Sequence, residues 1–473
     1  PLQNATSTDS PRQTNAKRSF AFSQSLEELK STPLAPSLSQ SPSTQQSQRY
    51  SLRTNSGAVV ASFGPNADTT KWEANFEYSP QIKLVECGGD SPLTSSYKFM
   101  FEKLRDCADV LDDTIYHLGN QILKSKDIEE TVNLRTTSND AIWCVGRICC
   151  DSLGKLNAAS VLLEGDRETC SGATVKLDLS RLGHYALFPG QIVAVKGINS
   201  TGECLVAEEI VIGKILESPK CSNLNNDGLQ IRIACGPFTT LENLLYEPLM
   251  DLLQDVVENP PHVLFLLGPM LDSSHPSLED PLLSDSYDSI LARCFDKIDS
   301  ALVNTDVKVY VVTSLRDVCC SSIYPTPPVL LSAQMTVGSK IQLLSDPSLL
   351  DIGGLHIGLT TIDFPMQMSR EEISYFPQGS DRLGRLARHM LLQQSFYPIY
   401  PPPEGICLNI EQADIHARLP FTPHIMITPS DLKGYVKDVE GCLFINPERL
   451  TKGKTGGCHC KLEVKPSTQQ QRP

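Results

Sequence analysis

The stretch His262–Asp272, HVLFLLGPMLD, constrains the fold of this chain more than any other. Val263 to Leu267 are all apolar and run directly into Gly268-Pro269. A strand with one wet face would alternate apolar and polar residues. A strand apolar on both faces must be covered on both sides. Related runs recur at 229–238, 307–318, 355–364, 423–432 and 442–449, and helical patterns at 241–257, 286–303 and 383–394 lie among them. Strand–helix–strand alternation with buried strands predicts a layered α/β domain over residues 223–473. In the first of these helices Leu244, Leu245, Pro248, Leu249, Leu252, Leu253 and Val256 form the apolar face. Pro248 is expected to kink it or to mark a break.

Upstream the period changes. Five short strand patterns, at 141–150, 160–166, 174–180, 191–200 and 203–211, are separated by Gly, Asn and Asp turns. Five strands in so short a span predict a small closed barrel of the OB type over residues 136–222, with Pro189-Gly190 turning the chain into the fourth strand. Residues 51–135 read as an extended and helical segment packing on the core. Phe101, Leu104, Ala108, Leu111, Ile115 and Leu118 recur at helical spacing, and one or two helices are expected to end near Gly119. Residues 1–50 are rich in Ser, Thr, Gln and Pro, so they cannot bury enough apolar surface to offset their ordering entropy. They read as a disordered linker. Its Ser10-Pro11, Thr32-Pro33 and Ser41-Pro42 are candidate targets of proline-directed kinases.

Composition excludes several functions. A net charge of −14 over 473 residues disfavours non-specific binding to phosphate backbones, which depends on Lys and Arg. No apolar run reaches the roughly 18 residues of a membrane span. The 16 cysteines are scattered, and the adjacent pairs Cys149-Cys150 and Cys319-Cys320 suit neither a disulfide framework nor a tetrahedral zinc site. They read as free thiols of a reducing compartment. The chain begins at Pro1 in place of an initiator Met, so a portion is expected to precede it.

In α/β sheets, chemistry sits beyond the C-terminal ends of the strands. The first strand ends in Ala234-Cys235-Gly236-Pro237, the second in Gly268-Pro269-Met270-Leu271-Asp272 and the third in Thr313-Ser314-Leu315-Arg316-Asp317. A later one ends in Thr428-Pro429-Ser430-Asp431. This spacing resembles the calcineurin-like metallophosphoesterase superfamily. There the corresponding ends carry Asp-x-His, Gly-Asp-x-x-Asp and Gly-Asn-His, which hold two metal ions about 3.5–4 Å apart. Against that pattern the ligands are missing. Cys235 stands in a segment without carboxylate or imidazole, and Gly268 is kept. Pro269 occupies the bridging Asp position. Asp272 matches the second acid but stands alone, and Arg316 brings a fixed cation beside Asp317. No catalytic residue, metal or cofactor is expected. His262, His275, His356, His389, His416 and His424 form no ligand pair and read as structural. Thr451–Gly457, TKGKTGG, lacks the spacing of a phosphate loop.

An OB-fold followed by a ligand-free phosphoesterase domain resembles the B subunits of eukaryotic replicative polymerases. The stretches at 50–65, 188–199, 233–240, 264–272, 314–318, 324–328, 395–405 and 419–457 narrow the resemblance to the B-subunit family of DNA polymerase alpha–primase. The family also has an N-terminal helical domain that is absent from this sequence. The resemblance implies a nuclear, non-catalytic subunit that scaffolds the C-terminal region of the polymerase alpha catalytic subunit. It further implies coupling to primase, regulation of the initiation of DNA replication, cell-cycle phosphorylation of the linker and no cofactor.

Two other readings come from the residues. One is a residual metallophosphoesterase. The other is a single-strand nucleic-acid binder using the barrel, where Trp143, Arg147, Lys155, Lys176 and Lys196 would allow weak DNA contact. Trp143 alone is a poor stacking platform, and it fits a core position as well. The stiff segment 395–405, SFYPIYPPPEG, could dock on a partner or pack internally.

Overall fold

The computed structural model describes residues 47–64, 80–85, 87, 92–94, 97–152, 154–221, 228–331 and 337–465. Ser10, Thr32 and Ser41 lie outside the described residues.

The double-sided strands form one layer of a sandwich. Ile341–Leu344, Lys308–Val312, Val263–Leu267 and Leu229–Cys235 are parallel neighbours, and Cys460–Val464 closes the edge antiparallel to Leu229–Cys235. A second sheet runs Ile82–Val85, Ser348–Ile352, Leu355–Leu359, Ile425–Ile427, Cys442–Asn446, Tyr435–Val439. The side-chain period of two decides what faces what. Leu229, Ile231, Ile233 and Cys235 join Val263, Phe265 and Leu267 in a core shared with Leu350, Ile357, Leu359, Ile425 and Ile427 of the second sheet. Ala234, Leu264, Leu266, Val309 and Val311 point the other way, onto the helices Glu247–Glu258 and Tyr287–Leu302. Met426 and Phe444, on the outer face of the second sheet, meet the helices Phe364–Glu371 and Arg382–Leu392. Each sheet is therefore covered on both faces, as its apolar runs require. Pro248 stands in the first turn of Glu247–Glu258, where its missing N–H costs no bond. It marks a start, so the expected longer helix from 241 is not formed.

All five expected barrel strands close a barrel in the order Ser138–Cys150, Val161–Glu164, Thr174–Asp178, Cys204–Val211, Ile192–Asn199. Thr174–Asp178 and Cys204–Val211 pair in parallel, and the other pairs are antiparallel. Cys144, Ile148, Leu163, Val175, Leu177, Val193, Val195 and Leu205 fill the interior.

One helix, Leu104–Ser125, covers the outside of the barrel. Its Ile115 and Ile122 pack on Ile192, Ala194 and Val211, with Trp143 partly buried among them. The helix does not end near Gly119. A Cβ there would stand 2.5 Å from Val145 Cγ1, so the glycine allows close approach to the barrel. Phe101 and Leu104, read as apolar-face residues, are exposed.

Two features that were not legible in the sequence join the barrel to the sandwich. Tyr185–Leu187 pairs antiparallel with Ile373–Tyr375. The amide of Gln393 accepts from Ile192 N at 2.8 Å and donates to Ile192 O at 3.1 Å, like an added strand residue. The segment 395–405 packs internally. Phe396, Tyr397 and Ile399 are buried, and Tyr400 N donates to Pro189 O at 3.0 Å. At that contact Gly190 has φ +96°, and a Cβ would stand 2.5 Å from Tyr400 N. Gly190→Ala is therefore expected to cost about 2–4 kcal/mol, read as a lowered thermal midpoint. An unchanged midpoint would mean that the segment does not seat on the barrel.

Candidate functional site

Parallel strands bring their C-terminal ends to one edge, and the three strand ends read from the sequence meet there. The crossing is tight. A Cβ at Gly236 would stand 2.1 Å from Pro269 O, and one at Gly268 would stand 2.5 Å from Asp317 Oδ2. Only glycine lets these loops pass at such separations.

Asp317, 3% exposed, is the hub. Its Oδ1 accepts from Met270 N and from Leu271 N at 3.0 Å, and its Oδ2 accepts from Ser314 N at 3.0 Å. Its carboxylate thus ties the second strand end to the third. Burial pushes its pKa up to about 7, against the three N–H bonds that favour the charged form.

Asp272 is also buried, but it does not stand alone as the sequence suggested. It accepts from Ser274 N at 3.1 Å and from Ser274 Oγ at 2.8 Å, and it binds the Arg316 guanidinium. Sequence spacing could place Arg316 at a strand end but could not show that it neutralises Asp272.

A second guanidinium, which sequence reasoning missed, completes the cluster. Arg449, 5% exposed, stands 3.1 Å from Cys235 Sγ. It donates to Asp431 Oδ1 at 2.8 Å and lies 3.7 Å from Asp363 Oδ2. Burial, which lowers an arginine's pKa, is outweighed by Cys235, Asp431 and Asp363, so Arg449 is held firmly charged. Burial pushes the Cys235 thiol up, opposed by Arg449. Asp431 is held below the usual carboxylate range because Arg449 and Arg316 outweigh its burial. Asp363 caps the helix Phe364–Glu371 through Met366 N at 3.1 Å and accepts from Ser430 Oγ at 2.6 Å.

Carboxylates and guanidiniums therefore alternate, and each acid is taken by a cation or by N–H and O–H donors. Among the described residues no three His, Cys, Asp or Glu side chains converge on a point that could hold a metal ion. The cluster could hold the loops in place, but it presents no free base or nucleophile.

Comparison with known proteins places these geometries in a family. The family model for the B subunit of DNA polymerases alpha and epsilon matches residues 231–437, and that for the OB domain of the DNA polymerase alpha B subunit matches residues 108–213. The B subunit of DNA polymerase alpha from Rattus norvegicus is 39% identical over 435 residues, covering 91% of this chain and 72% of the rat protein. The chain belongs to the B-subunit family of DNA polymerase alpha. The Bos taurus member is 40% identical over 407 residues, 85% of this chain and 67% of its own. The Schizosaccharomyces pombe member is 31% identical over 410 residues, 82% of this chain and 71% of its own.

The five-stranded barrel is the OB domain of this family, and its match reaches back to include the helix Leu104–Ser125. The histidines are spent on structure. His262 Nδ1 accepts from Gln230 N at 3.0 Å, and His275 Nε2 lies 2.7 Å from Thr240 O. His389 Nε2 pairs with Glu372 at 2.8 Å, and His424 stacks on His356. Thr451–Lys452 and Thr455–Gly456 of the TKGKTGG stretch form a small hairpin. Among the described residues no helix is long and apolar enough to cross a membrane.

Proposed function

We propose that this chain is a non-catalytic accessory subunit of the DNA polymerase alpha–primase complex. In this reading it scaffolds the C-terminal region of the catalytic subunit in the nucleus, couples it to primase, and regulates the initiation of replication. The observation that carries the reading is the pairing at the sheet ends. Arg316 sits on Asp272, Arg449 sits on Asp431 and Cys235, and Pro269 offers no ligand atom. Two dications would need those carboxylates free.

Cys235, Gly268, Pro269, Asp272, Arg316 and Asp317 are then the altered remains of a phosphoesterase site, kept because they lock three loops into a rigid surface. Membership of the B-subunit family supports the assignment to the polymerase complex. The names of its relatives are those of an accessory chain. Ser10, Thr32 and Ser41 are proposed acceptors for proline-directed kinases.

The non-catalytic part is tested by dialysing the purified chain against manganese and then zinc. Metal content is measured, followed by hydrolysis of a generic phosphodiester. Substoichiometric metal and no turnover above buffer are expected. Two bound metals with turnover would overturn it.

A further inference from the structure

Ser47 is the first described residue, and it is not loose. It is 1% exposed. Its N–H points at the Glu247 carboxylate, 3.2 Å from each oxygen. Its hydroxyl bonds Thr240 Oγ1 and accepts from Asn243 Nδ2 at 3.2 Å. Three residues on, Tyr50 is 6% exposed and donates to Asp251 Oδ2 at 2.8 Å. Arg53 lies over the Tyr50 ring at 3.8 Å, donates to Tyr50 O at 2.8 Å and pairs with Asp251. Residues 47–53 thus form a strap seated on the start of the helix Glu247–Glu258 and on the hairpin at Thr455–Gly456.

The strap carries a sequence signal that the assembly reading does not use. Ser47 is followed by Gln48, and the same pattern occurs just upstream at Ser39-Gln40 and Thr44-Gln45. Serine or threonine followed by glutamine, repeated within ten residues, is the substrate pattern of protein kinases that read glutamine after the acceptor.

We infer that Ser47 is a phosphorylation site for a glutamine-directed serine kinase, and that its phosphate detaches the strap from the helix Glu247–Glu258. In the reaction the Ser47 hydroxyl attacks the γ-phosphorus of ATP. The Oγ–P bond forms, the β–γ anhydride bond breaks, ADP leaves and the hydroxyl proton is released. The kinase meets the strap in its undocked state, which short terminal elements visit at low free-energy cost. The product cannot return. The seat that encloses the hydroxyl has no room for three phosphoryl oxygens, and it is walled by Glu247 with Asp251 one turn on. A charge of about −1.5 to −2 is repelled there. Phosphorylation therefore traps the open strap by population shift.

The test uses the whole chain, a glutamine-directed serine kinase with ATP, and limited trypsin digestion. The digestion follows the fragment that begins at Thr54, cut after Arg53. Mass spectrometry is expected to find phosphate on Ser47, incorporated faster in Asp251→Ala, whose strap has lost its Tyr50 and Arg53 anchor. The phosphorylated chain and Ser47→Glu are expected to be cut about tenfold faster than wild type, a shift of about 1.4 kcal/mol in strap opening. Ser47→Ala, which still fits the seat, is expected to change the rate less than about threefold. Failure to label Ser47 in either chain overturns the inference. So does labelling that leaves the cut at the wild-type rate or slows it. Wild-type thermal midpoints for all variants confine the effect to the strap.

Discussion

Asp317→Ala is expected to lower the unfolding free energy by about 3–5 kcal/mol at pH 5, because it strands three buried N–H donors at once. Those donors belong to Met270, Leu271 and Ser314. Alanine cannot replace them, and Gly268 and Ser314 close the space against water. The difference from wild type should depend on pH with a definite sign. Burial, joined by the like charge of Asp272, raises the Asp317 pKa from 3.8 to about 7. Its native state therefore binds more protons than its unfolded state between those values. This contribution is fully present below about pH 4 and is lost as pH rises through about 7. Denaturant titrations of both proteins from pH 4 to 8 should show the gap narrowing with rising pH. A gap that widens would mean the three N–H bonds dominate burial and hold the carboxylate ionised.

Asp255→Ala is the second large effect, about 3–5 kcal/mol, because it leaves a buried guanidinium without its counter-charge. Arg232 is fully buried inside the strand Leu229–Cys235, where the pattern of the sheet would place an apolar residue. Asp255 binds it from the helix Glu247–Glu258, and His459 Nε2 lies 2.9 Å from Arg232 Nη1. His459 and Lys461 lie 3.5 Å from the same carboxylate. Burial of Asp255 is outweighed by His459, Arg232 and Lys461, which hold its pKa well below the usual range. The pair thus supports the fold above about pH 4 and weakens as pH falls below it. Arg232→Met combined with Asp255→Ala should recover much of the loss, since no isolated charge remains. A double variant as unstable as Asp255→Ala alone would assign the loss to packing.

These two clusters show what a sequence carries and what it hides. Strands such as Val263–Leu267 were legible because burial on both faces leaves no other pattern, and the barrel strands because turns bracket each one. Three-residue pairings such as Tyr185–Leu187 with Ile373–Tyr375 are too short for a period to register. The edge strand Cys460–Val464 alternates only weakly, and its register against Leu229–Cys235 depends on tertiary contacts. Gly119 and Pro248 read as punctuation, yet one serves close packing and the other opens a helix. At the site, the strand ends could be located from spacing. Their partners could not, because Arg449 and Asp363 arrive from other parts of the chain. Pro269 is read directly from the sequence. The pairing of Arg316 with Asp272 and of Arg449 with Asp431 emerges only when the sheets bring these residues together.

The central claim is that this chain acts by binding the polymerase and not by chemistry of its own. It is tested most directly by co-expressing the full chain with the C-terminal region of a DNA polymerase alpha catalytic subunit and passing the mixture over a sizing column. The account predicts a single one-to-one complex that survives dilution to nanomolar concentration, with this chain melting at a higher temperature inside it. Separate elution of a folded, monodisperse chain that ignores that region would contradict it.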